Sequence, residues 1–318
     1  TFHHAITDGL SCMSFIDELL FYYQKIAAGE KISHVNKLPF LAPIEQTLDR
    51  SFVNLNKIEK PENKNIKELR LPKLIIETEA PLNQRRTHLV KRIIRSETVL
   101  NLKQRCKQEK TTVHGALSAA MLFGAIQISA FNEPISFSCS SSINLRKYNL
   151  PEIGRNYIGC FISRVDNIHT LTENTNFWDL ARECKKQVNS SINEKINNLI
   201  NGKGFDNISR LSIRKRLEEN STGRIQTITI SNCGKFDLAK SYGKLKIKEI
   251  YFTAGQHIFG PCLWLGAVTF HQQLFCSFVH VTPLISSTTM NYFADNVVSI
   301  IEKASLYESL CLNNYQIE

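Results

Sequence analysis

Apolar residues after Gly9 recur at spacings of three and four, at Met13, Ile16, Leu19, Leu20, Tyr23, Ile26 and Ala27. That period predicts an amphipathic helix, which Gly29 ends. From Glu30 to about Leu82 the periodicity is lost, and Pro39, Pro43, Pro61, Pro72 and Pro81 appear among Lys, Asn and Glu. The stretch reads as a crossover linker with short elements, and it separates two parts of the chain. Arg86 to Ile94 reads as a strand, with His88, Val90 and Arg92 alternating against Leu89, Lys91 and Ile93. Ser96 offers an N-cap to a helix carrying Val99, Leu102 and Cys106, and Thr112 caps the next. There Val113, Leu117, Ala120, Met121 and Gly124 form a small-residue stripe suited to close packing.

Strict alternation returns at Ile135, Phe137, Cys139, Ser141, Ile143 and Leu145 against Ser136, Ser138, Ser140, Ser142 and Asn144. This is a strand with one small polar face, of the kind a channel wall needs. Phe177, Leu180, Ala181, Cys184, Val188 and Ile192 predict another amphipathic helix. A polar loop through Gly202 and Gly204, a basic helix from Arg210 to Leu217 and a strand from Arg224 to Ile230 follow. Lys244 to Phe252 reads as a strand, and Leu263 to Val281 as two strands joined near His271, Gln272 and Gln273. His257, His271 and His280 stand isolated and read as structural or exposed. Met290, Phe293, Ala294, Val297, Ile300 and Ile301 make a closing helix. Helices alternating irregularly with strands point to an α/β sandwich.

Composition narrows the class. A chain of 318 residues with 42% hydrophobic and 21% charged residues can bury a sizeable core. The longest apolar-rich run, Ala116 to Phe131, is shorter than a membrane span and holds Ser118, Gln127 and Ser129. No signal peptide is visible, because Asp17, Glu18 and Lys25 interrupt the first apolar stretch. Nine cysteines without a Cys-x-x-Cys pair fit reduced thiols in a cytoplasmic protein. The net charge of +10 favours an anionic partner. The basic residues are spread out, densest at Arg210 to Arg216, and no nucleic-acid module is present.

The chemistry concentrates at the start of the chain, in Thr1-Phe2-His3-His4-Ala5-Ile6-Thr7-Asp8-Gly9. Two histidines, an aspartate four residues after the second and a glycine behind it place an imidazole on a tight turn before a helix. With an unperturbed pKa of about 6.5, such a histidine is poised to take a proton from an attacking hydroxyl or amine. Asp8 also suits the helix N-cap. A zinc site is the competing reading of two His and an Asp, weakened because adjacent histidines share no helix face and no partner motif follows.

His-His-x-x-x-Asp-Gly resembles the signature of the condensation-domain superfamily of acyltransferases, which includes polyketide-associated acyltransferases of the phthiocerol dimycocerosyl transferase type and shares the chloramphenicol-acetyltransferase-like fold. The resemblance extends to Thr111 to Ala120, to Ser142-Ile143-Asn144-Leu145-Arg146, to Tyr157-Ile158-Gly159-Cys160-Phe161 and to Ser231-Asn232-Cys233-Gly234. It implies a two-lobed α/β sandwich with its first lobe incomplete: residues 1–50 as the remainder of the N-terminal lobe, 51–82 as the crossover linker and 83–318 as the C-terminal lobe. It also implies His4 as the catalytic base, with His3, Asp8, Gly9 and Arg146 supporting the site. Arg146 is the candidate partner of Asp8, and a surface arginine is the alternative. Ser231, Asn232 and Gly234 are candidates for the substrate channel, Asn232 as a hydrogen-bond donor; the plain alternative is a turn, since Asn and Gly both tolerate positive φ. Gly159 allows a close backbone approach. His114 is a helix-start residue rather than a second base.

By that resemblance the chain moves an acyl group from a thioester donor to an alcohol or amine without a covalent acyl-enzyme. The co-substrate is a thioester of coenzyme A or of phosphopantetheine on an acyl carrier protein. No tightly bound cofactor, metal, nucleic acid or membrane span is expected, and the chain is expected to be a monomer. Two alternatives stand beside this: a noncatalytic condensation-like binding domain or truncated remnant, and a peptide-bond-forming condensation domain. A metal-dependent hydrolase is a third and weaker idea.

Overall fold

The computed structural model describes residues 1–35, 37–52, 76–129, 134–201, 228–239, 241–256 and 263–312. The expected basic helix at 210–217, most of the linker and His257 lie outside them. A six-stranded sheet runs in the order β1-β8-β7-β4-β2-β3, with β1 at Arg86–Ile94, β2 at Ile135–Asn144, β3 at Ile162–Leu171, β4 at Ile228–Lys235, β7 at Leu263–Phe270 and β8 at Gln273–Thr282. β4 pairs in parallel with both β2 and β7, and the other ladders are antiparallel. A two-stranded ribbon, β5 (Ser241–Tyr242) with β6 (Leu245–Lys246), stands apart.

Side-chain alternation divides the core between the two faces of the sheet. Leu263, Leu265 and Ala267 of β7 and Leu274, Cys276 and Phe278 of β8 join the main core. The one-turn α2 (Ile44–Thr47) packs Ile44 on a separate cluster with Leu48 and Ile143, whereas the main core takes in α3 (Ser96–Gln108), α4 (Val113–Gln127), the first half of α5 (Phe177–Ile200) and α6 (Ser287–Leu306). The intervening residues Val268, Phe270 and Phe275 pack on the other face against Met13 of α1 (Gly9–Ala27), Phe236 and Leu238. With both faces covered, every residue of β7 is buried, as its near-continuous apolar run requires.

The central helix is α4, in which Gly115 to Ile126 are all buried. Thr112 caps it as expected, its Oγ1 accepting from the Gly115 N–H at 3.1 Å. The small residues do what the stripe predicted. A Cβ on Gly115 would sit 2.6 Å from the Ala181 carbonyl of α5, and one on Gly124 would sit 2.8 Å from Val297 of α6.

Three expectations need correction. The N-cap of α3 is Arg95, and Ser96 is the first helical residue. Within 244–252 only Leu245–Lys246 forms a strand; Ile247, Ile250, Tyr251 and Phe252 instead cover the Met13 cluster. The serine face of β2 is only partly a wall: Ser136 bonds Thr170 Oγ1 at 2.7 Å and Ser140 bonds Asp166, each tied to its cross-strand neighbour on β3. His280, which reads as structural or exposed, is buried, its ring tilted at 5.7 Å from that of His88 across the β1–β8 ladder.

The first helix forms where the period placed it, with Gly29 at φ +78° just beyond its end. Its apolar stripe is open among the described residues: Ile16, Leu19, Tyr23 and Ile26 are exposed, and Met13 is its buried apolar anchor. No described helix is long and apolar enough to cross a membrane.

Candidate active site

Asp8 is the hub. Its backbone is extended, and its Oδ1 accepts from the Ser11 N–H at 2.8 Å, capping α1. The same carboxylate receives a bidentate grip from Arg146, Nη1 to Oδ2 at 2.9 Å and Nη2 to Oδ1 at 3.0 Å. The Phe161 N–H adds a bond to Oδ2 at 2.9 Å. Both charged side chains are almost wholly buried, at 0% and 4% exposure. Burying an ion pair is tolerable only when its remaining hydrogen-bonding capacity is used. Here the carboxylate takes four bonds, and Arg146 also donates to Ser11 Oγ at 2.7 Å and lies 4.6 Å over the Phe161 ring, while its buried Nε has no partner among the described residues. Arg146 opens a short 3-10 turn directly after β2, where Asn144 Oδ1 accepts its backbone N–H.

Ser11 extends the clamp. Its hydroxyl donates to the Gly159 carbonyl at 2.8 Å and accepts from the Gly159 N–H at 3.1 Å. Gly159 has no room for a side chain, since a Cβ would lie 2.4 Å from the Phe161 ring. Gly9 is held less tightly: a Cβ there would lie 3.2 Å from Cys233 Sγ, a close contact, and 3.6 Å from Phe252. The Asp of the motif therefore fixes the helix to β2 and to residues 159–161, while the Gly lets the helix start close against β4.

His4 hangs from this clamp. Its Nδ1 bonds the carbonyl of the buried Thr7, the residue before Asp8, at 2.8 Å. With Nδ1–H donating there, the unshared pair of the neutral ring lies on Nε2. Cys160 Sγ is 3.9 Å from Nδ1, brought there by the same strip that binds Asp8. The Cys160 contact does most to push the His4 pKa up to about 9; burial opposes it, and the Thr7 carbonyl adds to it. His3 is exposed, its Nδ1 accepting from the Ala5 N–H at 3.2 Å.

The structure brings Asp8, Gly9 and Arg146 together with His4, and it brings the Ser231 to Gly234 segment beside them through Cys233. Asn232 Oδ1 accepts from the Gly234 N–H at 2.9 Å, and Gly234 takes φ +70° in an irregularity of the β4–β7 ladder. Asn232 also lines a cavity of about 320 Å³ whose walls include His114, Ser142, Asn144, Lys147 and Lys185. Three participants were not foreseen: Ser11, Cys160 and the Phe161 N–H. Their partners lie 135 to 156 residues away in sequence, and nothing local marks such contacts.

Residues 1–198 match the condensation-domain family. No curated protein sequence matches the chain. In fold it is similar to polyketide synthase associated protein 5 from Mycobacterium tuberculosis, with a TM-score of 0.68 and 16% identity over 96% of this chain and 72% of that one. It is also similar to a trichothecene 15-O-acetyltransferase from Fusarium sporotrichioides, with a TM-score of 0.66 and 10% identity over 94% of this chain and 64% of that one. A third likeness is to the starter condensation domain of a rhizomide synthetase solved with C8-CoA, with a TM-score of 0.60 and 14% identity over 99% and 67% of the two chains. These identities speak to fold, and they agree with the chloramphenicol-acetyltransferase-like α/β sandwich expected from the sequence. Since the family match takes in the clamp from Asp8 to Arg146, together with β1 to β3, the chain belongs to the condensation-domain family.

Proposed function

We propose that the chain is an acyltransferase in which His4 is the general base, moving an acyl group from a thioester of coenzyme A or a carrier protein to an alcohol or amine. The observation that carries this is the tether of His4 Nδ1 to Thr7, next to a buried Asp8–Arg146 clamp. The tether leaves Nε2 as the basic atom, and the clamp ties the turn to the end of β2 and to Phe161, which favours the fixed placement that proximity catalysis requires.

In this mechanism the acceptor O–H or N–H faces Nε2. As its oxygen or nitrogen attacks the thioester carbonyl, His4 takes the proton and a tetrahedral oxyanion forms. Collapse breaks the C–S bond, and the imidazolium returns the proton to the departing thiolate, so the products are ester or amide and free thiol. Asn232 supports the reading as a substrate contact, because its Oδ1 is committed to Gly234 and its amide offers N–H donors. The acyltransferase among the similar structures, and the starter domain solved with C8-CoA, add support from the fold.

The test is thiol release from a panel of acyl-coenzyme A and acyl-carrier-protein donors, with and without simple alcohols and amines. His4→Ala is expected to reduce acceptor-dependent release by about 10²- to 10⁴-fold. Its thermal midpoint should stay near that of the parent, because His4 is solvent-exposed. Equal activity of the variant and the parent rejects the mechanism.

A further inference from the structure

The cavity beside Asn232 has a composition that the acyl-transfer chemistry at His4 does not call for. Of its lining residues, Lys147 and Lys185 carry charge, and among the described residues it has no carboxylate wall. Neither lysine enters an ion pair with a described residue. Lys185 Nζ donates to the Lys110 carbonyl at 2.9 Å, and Lys147 Nζ lies 4.8 Å over the Tyr148 ring. The other polar groups are neutral and include Asn144, Asn189, Asn232 and His114, the last bonded through Nε2 to Ser141 Oγ at 2.8 Å. Burial holds the His114 ring neutral, its pKa lowered to about 4. Val188, Ile192 and Ile143 supply an apolar side.

The cavity is also built into the clamp. Asn144 caps the Arg146 backbone N–H and lines the cavity, Lys147 follows Arg146, and Asn232 precedes the Cys233 that abuts Gly9. A ligand here touches elements that also hold the His4 turn. Two lysines without an ion-pair partner among the described residues, with neutral amides around a partly apolar space, match an oxyanion on a small organic body.

We propose that this cavity binds an anionic group of a substrate, a carboxylate or a phosphate, with Lys147 and Lys185 as its counter-charges and Asn232 as a neutral donor. Two sources share that chemistry: the carboxylate of a hydroxy- or amino-acid acceptor, and the phosphate of a phosphopantetheine arm. The inference names a substrate feature of the proposed acyl-transfer site and so rests on that reading, but its test is binding rather than turnover.

The experiment is calorimetric titration of the intact chain with succinate and, separately, with inorganic phosphate. It is repeated on a K147Q/K185Q double variant and on Val188→Trp, which fills the cavity without touching the charge. Binding of either anion that weakens about tenfold or more in both variants supports the site. Preference for succinate identifies an acidic acceptor, and preference for phosphate identifies the arm of the donor. Absence of binding by both anions overturns the proposal. So does binding that the double variant leaves unchanged, because the lysines would then take no part in it, or binding that Val188→Trp leaves unchanged, because the anion would then sit outside the cavity. Either failure leaves the His4-dependent thiol release to be judged on its own assay.

Discussion

At the scale of single residues the site turns on how Cys160 meets His4. Removing the sulfur removes the largest influence that raises the ring's pKa, which stands at about 9. The base form is the neutral ring, so under the proposed mechanism the rate climbs as pH rises through that value. In Cys160→Ala the climb is expected at lower pH, with more of the ring neutral near pH 7. The check is the pH dependence of kcat/KM beside the ring titration of His4 by NMR. A midpoint that stays in place in both would show that Cys160 does not set the proton affinity. The sequence displayed His4 through its motif, but it did not display Cys160 as a neighbour. A cysteine within Tyr157 to Phe161 becomes one only after Phe161 and Gly159 bond to Asp8 and Ser11.

At the scale of elements the motif is a joint between α1, the end of β2 and the strip before β3. Asp8→Ala removes the α1 cap and leaves the Arg146 guanidinium buried without its partner, which is expected to cost about 3–5 kcal/mol. The D8A/R146L double variant should lose less than the sum of the two single losses, because the unpaired cation is then gone. Chemical denaturation of the four proteins measures both expectations, and simple additivity would mean that the bidentate contact contributes little. Gly115→Ala makes a second element-scale case. Its methyl meets the Ala181 backbone carbonyl at 2.6 Å, so α4 and α5 must separate, at a cost of about 1–3 kcal/mol. Stability equal to the parent would show that the pair absorbs the methyl.

How much of this was legible follows from where each signal lives. The Arg86–Ile94 strand, the Thr112 cap and the hairpin at His271 are local and were readable; the turn residues His271 and Gln272 do take positive φ, at 47° and 66°. The stretch from Lys244 to Phe252 misled because its apolar residues cover a sheet face instead of entering a ladder, and alternation alone cannot separate these uses. The serines of β2 misled for a related reason. Room for a channel and a cross-strand hydroxyl bond have the same small-polar signature.

At the scale of the whole molecule the functional end and the stable core are different bodies of structure. In α4 a continuous run of residues is buried, and β7 is buried throughout, so their amides should open only with global unfolding. The motif helix is held through the Asp8 clamp, through Met13 and, at its middle, by the hydroxyl of the buried Tyr242 donating to Asp17, while Leu19, Tyr23 and Ile26 remain exposed. With few buried contacts beyond that point, its second half has little to lose by opening locally. Native-state hydrogen exchange is therefore expected to rank the amides from Leu19 to Ala27 as fast, those of Ser11 to Met13 as slower, and those of α4 and β7 as slowest. Added denaturant should accelerate α4 and β7 together while leaving the outer half of α1 nearly unaffected, since a local opening exposes little new surface. If α1 and α4 instead exchange at one common rate, the helix is an integral part of the cooperative core and its exposed face contributes more than the described contacts account for. The predicted gradient has a chemical consequence: protection should be lost abruptly beyond the clamp, with Asp8 and His4 on its ordered side.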